Sequence, residues 1–299
     1  MVEALVIGLV KGAIYGLIAL GLVMVYKGSR VLNFAQAEIG GAGLYLTYIL
    51  MHHFNLPWVP AALVTIAAAA AVGIGFERFF VRPMGDAPRL TVAVATVGLF
   101  TLLLAAEAYF FGPSPVFIKP PIAGTGPEIA GFYVGPTELL SFGVIAVLAA
   151  GLAGFLRYTD FGLGVLASAQ DPVAVRLVGI PLSRLSMFTW GTAGAISAIA
   201  ALFIEPQIGV ISPGTIGEPL FLGGLAAALL GGLDSLEGAF LGGMLVGVVE
   251  AEVEHVAQAA ALPGLSALVL FAIVLGVLLL RPQGLLGTLR GRAEMGTAQ

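Results

Sequence analysis

One acidic side chain stands inside an otherwise apolar run. Glu38 lies in the stretch 33–52. A charge at the centre of a bilayer costs roughly 2.5–3.5 kcal/mol on insertion scales, so such a group must face a polar interior or be neutralised. Its chemistry is to hold a proton or a cation, or to tie one helix to another. Asn33, Gln36 and Gly40 share one helix face, with Glu38 to one side. Asn33, Gln36 and Glu38 are therefore candidates to line a polar route near the start of a broken helix. For Glu38 a structural hydrogen-bond knot is the simpler role. Glu107 falls near the end of its own apolar run and is expected at an interface.

Other clusters offer less. Glu250, Glu254 and His255, and the pair His52-His53, have metal-binding side chains but no clear fourth ligand and no supporting carboxylate, so they read as wet polar residues at helix ends. No metal and no bound cofactor is expected. The chain has no cysteine, which excludes disulfides, thiol catalysis and cysteine-ligated metals. No G-x-x-x-x-G-K-[ST] is present, so this chain has no loop of its own to cradle ATP phosphates. H-E-x-x-H and G-x-S-x-G are also missing, and no catalytic residue is assigned.

The elements that must position these groups are apolar segments of about 20 residues, the length that crosses a hydrocarbon core. They fall near 4–26, 33–52, 59–80, 90–111, 139–157, 186–204, 219–233, 236–254 and 263–281. The seventh and eighth, joined by Gly231-Gly232-Leu233-Asp234-Ser235, are short enough to be re-entrant, so eight to ten spans are expected. Charged residues are 10% of the chain and mean hydropathy is +1.04, against roughly 25% charge in a soluble domain. The expected fold is an all-α polytopic bundle forming one domain over 1–299, and the net charge of -4 makes nucleic acid an unsuitable partner.

Basic residues sort these gaps. Lys27, Arg30, Arg78, Arg82, Arg89, Arg157, Arg176, Arg184, Arg281, Arg290 and Arg292 occupy alternate ones, and only Lys11 and Lys119 fall elsewhere. The positive-inside rule makes the basic gaps cytoplasmic, with the N-terminus outside and a cytoplasmic tail at 282–299. The basic flank follows the first run, which orients an uncleaved span rather than a signal peptide. The opposite gaps carry Glu128, Glu138, Glu205, Glu218, Glu250, Glu252 and Glu254. Depletion of bases by topology explains the missing Lys and Arg but not the number of acids. Glu205 and Glu218 are candidates for docking a soluble partner with basic residues.

Glycine supplies helix contacts. Gly8, Gly12 and Gly16 lie on one face of the first helix, and Gly238/Gly242 and Gly243/Gly247 repeat the spacing. Small residues four apart let backbones approach, and packing within the chain is the expected use.

The cytoplasmic gap 157–185 is the most structured. Asp171 suits an N-cap and Pro172 the first helical position. Gly179 suits the left-handed position after a helix, and Pro181 prevents continuation. The pattern predicts a short helix over 172–178, half apolar through Val173, Ala174 and Leu177. On chemistry alone, such a helix fits a protein groove and a lipid interface equally.

Ala167-Ser168-Ala169-Gln170-Asp171, then Ala174, then Leu177-Val178-Gly179-Ile180, resembles the cytoplasmic coupling segment of branched-chain amino-acid ABC transporter permeases. Gly12-Ala13-Ile14-Tyr15-Gly16 followed by Arg30-Val31-Leu32-Asn33-Phe34-Ala35-Gln36-Ala37-Glu38 resembles that family's first two helices. Gly231 to Gly243 resembles its late glycine-rich hairpin, and Leu280-Arg281-Pro282-Gln283-Gly284-Leu285-Leu286-Gly287 its C-terminal signature. The order and spacing run from about residue 5 to 288. Gln36 and Ala37 stand where the family commonly has His and Gly, Gln170 where it often has Glu, and Pro172 where it has an apolar residue.

The resemblance implies an importer permease in a bacterial-type inner membrane. It implies two separate ATPase subunits that bind ATP, a second permease subunit (copy or paralogue), and an extracytoplasmic substrate-binding protein. Ala167, Ala169, Gln170, Asp171, Pro172, Ala174, Leu177, Gly179 and Ile180 are then the coupling residues. An ion-coupled carrier using Glu38 or Glu107 is the main alternative, followed by a channel-like facilitator or scaffold. Within the permease class, sugar, urea or amide importers are close relatives.

Overall fold

Backbone N–H and C=O groups in hydrocarbon must pair within their own segment, so apolar runs of this length become helices. The computed structural model describes residues 2–284 apart from 86, 123, 125, 130, 131, 261, 263, 282 and 283. The expected tail at 282–299 therefore lies outside the described residues, Gly284 aside. Eleven α-helices are formed among the described residues: α1 Val2–Ser29, α2 Gln36–His52, α3 Trp58–Phe76, α4 Arg89–Phe111, α5 Pro136–Tyr158, α6 Asp160–Gln170, α7 Pro172–Leu177, α8 Leu182–Ile208, α9 Gly217–Gly231, α10 Leu236–Ala259 and α11 Leu265–Leu280. A π-helical turn, Glu77–Val81, extends α3, and a two-residue antiparallel hairpin, Glu128–Ile129 with Phe132–Tyr133, precedes α5.

The nine apolar runs correspond to α1–α5 and α8–α11. Five helices, α1, α3 with its π turn, α4, α5 and α8, are long and apolar enough to cross a membrane. Burial separates centre from rim. In α1 and α8, 78% and 72% of the apolar window is buried, against 33%, 17% and 22% in α3, α4 and α5. The rim helices turn Leu63, Leu90, Leu102 and Val147 outward, as a lipid-facing surface requires.

The centre is held by backbone contact. A Cβ on Gly8 would stand 2.7 Å from Val248 Cα, one on Gly12 2.8 Å from Gly243 O, and one on Gly16 2.9 Å from Phe240 O. The three steps show α1 and α10 running antiparallel, with Gly243 and Gly247 entering from the other side. The glycine faces are thus spent on packing inside the chain, as expected where lipid supplies no apolar drive for association.

Two helices begin within the bundle rather than at its edge. After α1 the chain turns at Arg30, with φ of 57°, and re-enters before α2. At the turn into α2, Gln36 Nε2 donates to Ile18 O at 3.0 Å, and Ile18 is mid-way along α1. Asn33 Oδ1 accepts from Ala35 N at 3.1 Å, and Thr96 Oγ1 accepts from Phe34 N at 3.1 Å. Ser197, mid-way along α8, donates to Gln36 O and accepts from Gly40 N. Non-helical backbone at this depth is tolerated because protein groups satisfy it. The segment before α9 also folds inward: Val116 and Ile211 exchange backbone bonds of 2.9 and 3.0 Å, and Gly217 packs on Glu38.

Candidate functional site

One end of the bundle gathers the basic residues around the predicted coupling segment. Its helix forms where the punctuation puts it. Asp171 accepts from Val173 N at 2.9 Å and from Ala174 N at 3.0 Å, Pro172 opens α7, and Gly179 has φ of 82°. α7 ends at Leu177, one residue short of the expected 178. Val175 is its anchor, buried with Leu156, Val165 and Leu185 while Ile180 packs beside them. The rest of the helix faces out: Val173, Leu177 and Val178 are 63%, 83% and 73% exposed. Ala167, Gln170, Asp171, Pro172, Ala174 and Gly179 are also exposed, whereas Ala169 is buried.

The segment is larger than the sequence pattern suggested. α6 precedes α7 without a break longer than Asp171, and Thr159 caps it by accepting from Gly162 N at 3.0 Å. Thr159 was the available signal: a Thr before an apolar stretch is an N-cap pattern. Arg30 ties the α6–α7 bend to the bundle. Its guanidinium donates to Ala169 O and lies 4.0 Å from Asp234 in the α9–α10 turn. Arg157 pairs with Glu237 at 2.9 Å, both exposed. Arg82 pairs with the buried Glu77 at 2.8 Å and donates to Ser183 O at 3.2 Å, just after the segment. A cavity of about 710 Å³ lies between these parts, walled by Lys27, Arg30, Arg82, Arg89 and Arg176 together with Gln170. In the sequence these bases mark only the topology.

The polar stripe is placed differently. Asn33, Gln36 and Glu38 are 1%, 0% and 1% exposed. Asn33 and Gln36 hold the re-entrant turn, so in this structure they face the subunit's own packing rather than an open route. Neither Glu38 carboxylate oxygen meets a geometric hydrogen-bond partner among the described residues. Glu107 corrects an expectation. It is buried rather than interfacial, because α4 leans over α2 and brings its carboxylate to the gap beside Gly41. A Cβ on Gly41 would be 3.6 Å from Glu107 Oε1 and 3.8 Å from Glu38 Oε2, so the two acids face one another across that gap. Sequence spacing gives no means of pairing residues 38 and 107.

The docking candidates separate. Glu218 is exposed in the first turn of α9. Glu205 is 3% exposed and cannot receive a partner. The connection from α4 to α5 folds over the end of α8, pairs Val116 with Ile211, and sets Ile118 beside the Glu205 carboxyl. Glu250 and Glu254, expected as wet polar residues at a helix end, are engaged by Lys11 Nζ at 2.7 and 3.4 Å, and Glu250 is buried there rather than wet. Among the described residues no group of three or more acidic, histidine or cysteine side chains is arranged to hold a metal.

A helical bundle with broken central helices and an exposed, capped amphipathic helix at its basic end is the form of a membrane permease subunit. Residues 4–280 match the family described as the permease component of the branched-chain amino acid transport system, and the chain belongs to that family. It is 32% identical to the high-affinity branched-chain amino acid transport system permease protein BraD of Pseudomonas aeruginosa, over 95% of each chain. It is 30% identical to the corresponding protein LivH of Salmonella typhimurium, covering 94% of this chain and 93% of that one. Among solved structures, PsaBC from Streptococcus pneumoniae in complex with Fab has the same fold, with a TM-score of 0.51 and 14% identity over 93% of this chain and 91% of that one.

Proposed function

We propose that this chain is the membrane-spanning subunit of an ATP-driven importer for branched-chain or related amino acids. The observation that carries the reading is the α6–α7 element, rigidly capped at Thr159 and Asp171, apolar outward, and fastened inward by Arg30. Exposed Val173, Leu177 and Val178 would seat in a groove of an ATPase subunit, which holds the ATP that this chain has no loop to bind. Two such ATPases would drive two permease subunits, this chain and a copy or paralogue. When they close, α6–α7 moves as one piece. Arg30 passes that displacement to the end of α1 and to the α9–α10 turn. The glycine-locked pair α1 and α10 then moves together, opening the subunit interface to one side or the other. The basic end is cytoplasmic and the N-terminus lies outside, in a bacterial-type inner membrane. A binding protein delivers substrate at the acidic end, with Glu218 the remaining docking candidate.

The test is at Gly179. Its φ of 82° is strained for any β-branched residue. Gly179→Val should leave ATP hydrolysis by the purified complex intact and reduce uptake at least tenfold. Normal coupled uptake would overturn the placement of the coupling element. The second reading, an ion-coupled carrier, rests on the facing acids Glu38 and Glu107. Recovery of the chain from native membranes without ATPases, still transporting, would favour it.

A further inference from the structure

At the acidic end of α1, α8 and α10 lies a cavity of about 640 Å³ that the coupling scheme does not use. Volumes of roughly 300–1,000 Å³ are those of small-molecule sites. Its wall carries both signs of charge. Lys11 Nζ is 2.7 Å from Glu250 Oε1 and 3.4 Å from Glu254 Oε2, and His255 stands beside them. The rest of the wall includes Ile7, Ile204 and Ile208, an aliphatic bed. Lys11 is also one of two bases that break the charge sorting of the chain.

One polar group of the wall remains unspent: Gln207 Nε2 is buried without a hydrogen-bond partner among the described residues. The contact to Glu254 is loose, and that side chain is half exposed. A ligand carboxylate can replace Glu254 on Lys11 while Lys11 keeps Glu250. The released Glu254 then accepts the ligand's ammonium, so one long ion pair is exchanged for two charge-assisted bonds. A ligand with only a carboxylate would meet two glutamates, and one with only an amine would meet the lysine.

We propose that this cavity is a transit site for a zwitterionic aliphatic α-amino acid, with its carboxylate on Lys11, its ammonium on Glu254 and its side chain on the three isoleucines. The proposal rests on the importer reading for its substrate class. The test is binding of tritiated leucine to the assembled complex in phosphatidylcholine nanodiscs, without binding protein or ATP. Saturable binding is expected, displaced by unlabelled leucine but not by equal concentrations of 3-methylbutylamine or 4-methylpentanoate, which each lack one charge. Glu254→Gln and Gln207→Leu should each weaken it about tenfold. Neither breaks the Lys11–Glu250 pair, and size-exclusion elution with unchanged basal ATPase activity checks assembly. Wild-type affinity in both variants, displacement by either single-charge analogue, or no saturable binding in a complex that imports leucine would each overturn the site. Failure of the importer reading looks different: no leucine uptake even with binding protein and ATP. Leucine binding that depends on Glu254 would uphold the site in that case too.

Discussion

Side chains in this chain divide by whether their partners are local. Asp171 caps the amides of Val173 and Ala174, and its loss is a local event: Asp171→Ala should cost about 1 kcal/mol of helix stability. The expected readout is faster amide exchange at Val173 and Ala174, with coupling efficiency reduced and binding of leucine unaltered. Glu38 and Glu107 are the opposite case. Each is buried, each faces the other, and the described residues supply no cationic partner to either. Like carboxyls held together in a medium of low polarity work against the fold. Glu107→Gln should therefore retain ATP-driven uptake and raise the thermal midpoint of the purified subunit. If uptake is abolished with the protein still folded, the pair carries a coupling ion and the carrier reading gains.

Helices meet here in two ways, and each predicts a different sensitivity. α1 and α10 touch along their backbones, with no room for a β-carbon at Gly12. Gly12→Val places three heavy atoms where Gly243 O and Met244 Cα already stand, so the helices must separate along the core. The expected result is loss of folded protein, seen as aggregation in fluorescence-detection chromatography; a monodisperse, active variant would refute the contact. α7 instead rests on Val175 alone, and its other apolar side chains are free. An element so lightly held suits a part that must be moved from outside. Legibility follows the same division. Caps and stops of α7 were readable because they act over a few residues. The turn at 30–35 was readable only as a possible break, since its bonds go to Ile18, Thr96 and Ser197.

For the whole molecule the prediction is its orientation. The chain has no cysteine, so single cysteines can be introduced cleanly. Val178→Cys should react with a membrane-impermeant maleimide only in inside-out vesicles, and Phe54→Cys only in whole spheroplasts, as both positions are exposed at opposite ends. Labelling with the sides exchanged would invert the topology. By itself the sequence determined the class of solvent, the nine apolar runs, the sorting of bases and the short capped helix, because hydropathy, charge and capping act within a helix length. Only the tertiary structure decided which polar groups meet. It buried Glu107 against Glu38, sealed Glu205 beneath a loop, carried Arg30 to Ala169, and closed Lys11 onto Glu250 across 239 positions. Those pairings follow from how helices cross, and helix crossing is fixed by long-range packing that no local pattern encodes.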